Sequence, residues 1–187
     1  AFFGSFVYFF LEGTAIDMLN ASSASLILAV EPIVIMVMSY IFVKERLNVI
    51  KIISIPISVV GVWFIVNGSS GDDSLLGYFL MFSAVVMWGV YVIISSKLAQ
   101  KFSAVKIAGM QTFIAFALYL PFTFFIEFEE VGLEQIIAIL YIGIVPSGIA
   151  MFLYIYSLKT IGNSTTSLFI NFVPVVASIV GIAYLGE

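Results

Sequence analysis

Cysteine and histidine are absent from the 187-residue sequence. Without cysteine the chain can form neither a disulfide nor a thiolate metal site. Without histidine it can form neither a Ser-His-Asp triad nor a histidine-bound zinc or haem site. The sequence also contains no phosphate-binding loop ending in Gly-Lys-Ser or Gly-Lys-Thr, which argues against direct use of a nucleotide. We therefore predict that the protein is not an enzyme and carries no cofactor or metal.

Charged residues are scarce as well, at 10% of the sequence, whereas 63% of the residues are hydrophobic. The mean hydropathy of +1.21 lies outside the range of soluble globular domains. This composition predicts an all-α, polytopic transmembrane helix bundle whose main surroundings are the lipid bilayer.

Seven apolar stretches approach or exceed the roughly 20 residues that a helix needs to cross a bilayer. In chain order these spans are A, 1–16; B, 20–43; C, 47–67; D, 75–95; E, 105–126; F, 135–157; and G, 164–186. All seven basic residues lie at the B–C, D–E and F–G turns: Lys44, Arg46, Lys51, Lys97, Lys101, Lys106 and Lys159. The positive-inside rule makes this side cytoplasmic, so we expect a multi-pass protein of the cell (plasma or inner) membrane.

An internal repeat appears when the sequence is shifted by 142 residues without a gap. Ser22 then falls on Ser164, Pro32 on Pro174 and Glu45 on Glu187. Span G therefore repeats span B, and F repeats A. G is the fifth span after B, so the two copies cross the membrane in opposite directions. Such inverted-topology repeats are common in secondary transporters, which bind solutes near the midplane where the repeats meet.

The repeated segments are PIVIMVMSYIFVKERLNVIKIISIPISVVGV and YSLKTIGNSTTSLFINFVPVVASIVGIAYLGE. In each, a proline is followed 13 positions later by glutamate, a pattern that resembles the EamA-type transporters of the drug/metabolite transporter superfamily. The resemblance implies ten helices in two inverted five-helix repeats, of which spans A to G correspond to helices three to nine. The chain departs from the family pattern at Ser54, where glycine is usual.

On this interpretation, residues 1–67 form the C-terminal part of the first repeat and 68–74 an extracytoplasmic linker. Residues 75–187 form the second repeat without its last helix, so we expect two helices before this sequence and one after it.

Glu31 is a carboxyl group in the middle of span B, where a charge is costly and usually faces a cavity or a partner. On a continuous helix it points away from the small-residue strip Ala21, Ser25 and Ala29. It could exchange a proton or pair with a cationic substrate, or it could be a permanently neutral acid hydrogen-bonded to another helix. Its repeat mate is Val173, so its role is not symmetric.

Further candidates for substrate binding or coupling lie within the other spans. They are Asn171, Glu12, Tyr154, Trp88, Tyr91 and Gln111, with Tyr8 as a further aromatic residue. The aromatic residues could line a cavity or contact lipid, Asn171 could bind a neighbouring helix, and Glu12 could reach water. We expect Pro32 and Pro174 to act as hinges, and Glu45 and Glu187 to pair with cations or cap an adjacent helix.

These observations favour a secondary transporter that moves small organic metabolites or drugs by alternating access. Its expected partners are a small-molecule substrate and the bilayer, with protons as a candidate coupling ion, and not nucleic acid. A passive channel or a non-transporting membrane subunit on the same scaffold is the alternative. The substrate, the direction of transport and the oligomeric state cannot be deduced from the sequence.

Overall fold

The computed structural model describes residues 1–46, 48–49, 52–53, 56–57, 60, 74–125 and 132–171. Within these ranges the regular elements are all helical, which confirms the predicted fold class. We label seven helices in chain order: α1, Phe2–Ile16; α2, Ala21–Leu28; α3, Glu31–Phe42; α4, Leu75–Ala99; α5, Ala104–Phe125; α6, Leu133–Thr160; and α7, Asn163–Leu168.

Three of these helices, α4, α5 and α6, are long and apolar enough to cross a membrane. They correspond to the predicted spans D, E and F, with ends that differ by at most four residues. The helices α1 and α3 are apolar but shorter. Most of span C, residues 172–186 of span G and residue 187 lie outside the described residues.

Span B is not the single helix that its length predicts. The chain turns at Ala29 and Val30, and α3 begins at Glu31. Pro32 has no N–H to donate to the Leu28 carbonyl, and a missing N–H is best tolerated in the first turn of a helix. The prediction placed Glu31 and Ala29 on opposite faces of one continuous helix. Because the helix is interrupted between these two residues, that prediction is wrong.

Helix α4 occupies the centre of the bundle and packs against α1, α2, α3 and the C-terminal part of α6. Two glycines permit this close packing. A Cβ atom on Gly77 would lie 2.9 Å from Leu19 Cγ, and one on Gly89 would lie 2.6 Å from Met38 Sδ. Small residues at such contacts let membrane helices approach each other closely.

Two outer surfaces of the described bundle are strongly apolar and exposed. No residue of α6 between Leu133 and Ile144 is buried, and Phe124 and Phe125 at the end of α5 are 84% and 85% exposed. Surfaces of this kind suit lipid or another membrane helix as a neighbour.

The repeat found in the sequence also appears in the backbone. A six-residue π-helical segment, Phe2–Val7, opens α1, and another, Val145–Ala150, lies inside α6. The 142-residue shift places these two segments within one residue of each other. The same shift superposes the first residue of α2, Ala21, on the first residue of α7, Asn163.

Candidate functional site: an aromatic cluster beside Glu31

Glu31 lies inside the protein at the start of α3, with 5% of its surface exposed. Its Oε1 atom is buried and has no hydrogen-bond partner among the described residues. The expectation that this carboxyl group faces the protein interior and not lipid is confirmed. A buried acceptor without a donor is costly, and such groups are frequent at functional sites.

Trp88 joins the aromatic residues around Glu31 from its position near the middle of α4. Its ring centroid lies 4.8 Å from that of Tyr91, 5.0 Å from that of Tyr8 and 5.9 Å from that of Tyr154. We call these four residues the aromatic cluster. Helices α1, α4 and α6 each contribute to it, so three separate parts of the sequence converge beside Glu31.

Two further polar atoms of the aromatic cluster are buried without a partner in the described part of the chain, Trp88 Nε1 and the Tyr154 hydroxyl. Trp88 is close enough to interact with both Glu31 and Tyr154, and Tyr154 interacts electrostatically with Glu31, but none of these contacts has the distance and angles of a hydrogen bond. One unpaired acceptor therefore lies close to two unpaired donors.

Glu12 brings a second carboxyl group to the site from α1. The Tyr8 hydroxyl donates a hydrogen bond of 2.8 Å to Glu12 Oε1, one helical turn away. Glu12 is half-buried and interacts electrostatically with Glu31. Two acids thus share one region, which favours a proton or another cation between them.

Tyr91 and Gln111 form a hydrogen-bonded group on the other side of Trp88. The Tyr91 hydroxyl lies 3.0 Å from Gln111 Oε1 and 3.2 Å from Met151 Sδ. Gln111 in turn donates from Nε2 to Ser95 Oγ at 3.1 Å. These contacts fix the Tyr91 ring, which is only 3% exposed.

A cavity of about 330 Å³ lies beyond Tyr91, between the start of α1 and the helices α4 and α5. Its polar lining residues are Tyr91, Ser95 and Gln111, together with Lys106 from the first turn of α5. The remaining walls are mainly apolar, with residues such as Ile94 and Met110. Most of the lining residues belong to the predicted spans A, D and E.

Gly4 in the π-helical segment of α1 brings the backbone against Tyr91. A Cβ atom at this position would overlap Tyr91 Cγ and would lie 3.0 Å from Tyr91 Cβ. The position of the Tyr91 ring between the cavity and Trp88 therefore depends on the absence of a side chain at Gly4.

A second polar cluster, near the end of α3, forms hydrogen bonds between residues of the two repeats. Asn163 donates hydrogen bonds of 3.1 Å to Ser39 Oγ and to Ser96 Oγ. Both carboxyl oxygens of Glu45 lie 3.3 Å from the backbone N–H of Ser164, near the start of α7. This geometry corresponds to the capping role that was one of the two alternatives for Glu45.

Of the predicted site residues, Glu31, Glu12, Trp88, Tyr91, Tyr154 and Gln111 come together in one connected region. The described part of the chain ends at the backbone of Asn171, so the predicted role of its side chain lies outside the described residues. Pro174 and Glu187 lie outside the described residues. The sequence did not point to Ser95, Met151, Asn163 or Gly4, because their roles arise from contacts between distant helices.

The arrangement is suited to binding a small molecule. It contains aromatic faces, a buried carboxyl group and unpaired donors, and the described residues contain no group of histidine, cysteine, aspartate or glutamate side chains that could hold a metal ion. Among the described residues, no basic side chain contributes to the electrostatic environment of Glu31 or Glu12.

Comparison with known proteins gives relatives at low identity. An uncharacterized transporter of Clostridium kluyveri is 27% identical over 182 residues, which cover 92% of this chain and 58% of the relative. The uncharacterized transporter YdfC of Bacillus subtilis is 25% identical over 196 residues, covering 100% of this chain and 62% of the relative. A probable terminal-alkyne amino-acid exporter of Streptantibioticus cattleyicolor is 23% identical over 171 residues, covering 89% of this chain and 57% of the relative.

The chain therefore spans about three fifths of the length of these relatives. No solved structure is significantly similar to it. The description of the EamA-like transporter family matches residues 1–67 and 75–187, which is nearly the whole chain. The chain belongs to the EamA-like transporter family.

Proposed function

We propose that the complete protein is a secondary transporter that moves a small organic metabolite or drug across the cell membrane by alternating access. In this proposal the aromatic cluster contacts the solute, and proton movement through Glu31 is coupled to its passage. The Lys- and Arg-containing turns lie in the cytoplasm.

The observation that carries this proposal is the environment of Glu31. A carboxyl group with an unpaired oxygen lies beside three aromatic side chains, those of Tyr8, Trp88 and Tyr154, in an apolar bundle. Acids at such depth are rare in membrane proteins and usually mark a substrate pathway or a proton relay. A purely structural acid would be expected to have its oxygens hydrogen-bonded.

Proton coupling requires that Glu31 gain and lose its proton during the cycle. The titratable groups near it are Glu12 and Tyr8 on α1 and Tyr154 on α6. Glu12 disfavours a second negative charge on Glu31, whereas the Trp88 N–H can stabilise that charge by donating to it. Small movements of these side chains would therefore shift the proton equilibrium.

The name of one relative agrees with a small organic solute. One of them is named as a probable amino-acid exporter and two as transporters. The aromatic cluster offers surfaces that suit a solute with an apolar part, as is usual in small-molecule sites.

The cavity beyond Tyr91 is, in this proposal, the cytoplasmic entrance to the site. Its outer end includes Phe102 and Lys106, near the D–E turn, and its inner end is Tyr91, which contacts Trp88. Tyr91 then separates the entrance from Glu31, and its displacement would connect the two.

Cysteine labelling tests this entrance, because the sequence itself has no cysteine. In the complete protein, with any other cysteine replaced by serine, Ile94→Cys is expected to react with a charged methanethiosulfonate reagent in inside-out vesicles. Ile94 lines the cavity and is 41% exposed. Phe82→Cys is the matched control, since Phe82 lies on the same helix, is 50% exposed and is not among the cavity residues. Equal or slower labelling of Ile94→Cys would show that water does not fill the cavity.

Transport by the complete protein in proteoliposomes tests the proposed function itself. With radiolabelled amino acids and amines as probes, we expect saturable uptake, counterflow, and accumulation that depends on an imposed pH gradient. Flux without saturation or counterflow would indicate the passive channel, and the absence of flux for every probe would favour the non-transporting subunit.

A further inference from the structure

We propose that the solute recognised at the aromatic cluster is a small organic cation that also carries a hydrogen-bond acceptor. Its ammonium group would lie between Glu31 and the aromatic faces, and its acceptor would meet Trp88 Nε1 or the Tyr154 hydroxyl. This inference rests on the proposed function, because it names the solute class for the same site.

The balance of charge is the first argument. Glu31 and Glu12 interact electrostatically, and every basic residue of the chain lies at the end of a span. An anionic solute would meet two acids, and no basic side chain of the described residues lies close enough to offset them. A cationic solute would supply the missing positive charge and relieve the repulsion between the two carboxylates.

The aromatic faces are the second argument. A cation within about 6 Å of an aromatic ring centroid is attracted to the ring face, most strongly for tryptophan. Trp88 has three aromatic neighbours within this range, and both Trp88 and Tyr154 are only half-buried, so parts of their rings are accessible. Several rings beside one carboxylate form a suitable site for an ammonium group.

The unpaired polar atoms are the third argument. Glu31 Oε1 lacks a donor, whereas Trp88 Nε1 and the Tyr154 hydroxyl lack acceptors within the described residues. A cation without a hydrogen-bond acceptor would offset only the charge of the carboxylate. A solute with both a positive charge and a neighbouring oxygen would offset the charge of the carboxylate and accept hydrogen bonds from the two donors, as expected of complementary groups in a small-molecule site.

Three probes of similar size test this inference on the complete protein in detergent. Choline has a quaternary ammonium group and a hydroxyl; 3,3-dimethylbutan-1-ol is its neutral isostere; and ethyltrimethylammonium has the charge without the hydroxyl. Binding is followed by tryptophan fluorescence, with Trp88→Phe used to identify the signal of Trp88. We expect choline to bind at least tenfold more tightly than the alcohol and several-fold more tightly than ethyltrimethylammonium.

Glu31→Gln is expected to remove the preference for choline over the alcohol, whereas Glu134→Gln, at an exposed position of α6, is expected to retain it. Equal binding of choline and the alcohol, or no response to either, would overturn the cation assignment. If the same preparation still showed saturable counterflow of an amino acid, the cation assignment alone would fail and the proposed transport function would stand. If no probe were transported, the proposed transport function would fail as well.

Discussion

Glu31→Gln is expected to abolish accumulation driven by a pH gradient in proteoliposomes of the complete protein. Glutamine keeps the size of the side chain but cannot release a proton. For exchange of one proton per solute, a gradient of one pH unit supplies about 1.4 kcal/mol, which supports an accumulation ratio of about tenfold. In the variant this ratio is expected to fall to about one, as measured by solute uptake with and without the gradient.

Two controls make this result specific to Glu31. Glu134→Gln introduces the same chemical change in the first turn of α6, where the side chain is exposed, and should retain the response to the gradient. Thermal unfolding in detergent shows whether Glu31→Gln still folds. If uptake by a folded Glu31→Gln protein followed the pH gradient undiminished, Glu31 would have no part in the coupling.

Among single added methyl groups in α1, the one in Gly4→Ala is expected to lower the stability and the transport activity the most. The new Cβ atom would overlap the Tyr91 ring, which cannot move freely because it contacts Trp88 and hydrogen-bonds Gln111. Forcing an extra methyl group into a packed interior costs about 1–3 kcal/mol. We expect a lower unfolding temperature for the complete protein and a marked loss of transport, because Tyr91 separates the cavity from Trp88.

Gly13→Ala provides the matched comparison on the same helix. No described atom lies within 4 Å of a Cβ atom built at Gly13, and alanine is favoured over glycine in a helix by up to about 1 kcal/mol. This variant should be as stable as the parent or more so. If Gly4→Ala and Gly13→Ala had the same stability and activity, the contact between Gly4 and Tyr91 would not govern the site.

The membrane fold and much of the candidate site could be predicted from the sequence, because both depend on strong local signals. The spans D, E and F are long apolar runs, and Glu31 is conspicuous because a charge in such a run is costly. Trp88, Tyr91, Tyr154 and Gln111 were chosen for their chemistry and depth, and the structure places them in one region.

The remaining features depend on contacts that a local pattern does not encode. Pro32 indicated a bend, but the position of the turn at Ala29 and Val30 is set by the packing of α2 and α3 on α4 as well. Asn163 is near a helix start in the sequence, where its simplest role is a cap. Its bonds to Ser39 and Ser96 join residues far apart in the chain and could be seen only in the structure.

The π-helical segments in α1 and α6 change the direction in which the side chains that follow them point, compared with a regular α-helix. A π turn contains more residues than an α turn, so the part of the helix that follows it is rotated, by on the order of 100° for one extra residue. A helical wheel drawn through all of α1 would therefore assign Glu12 to the wrong side relative to Phe3. Because the same segment recurs at the equivalent place in α6, the two copies share this rotation, and their pseudo-symmetry extends to the winding of the chain.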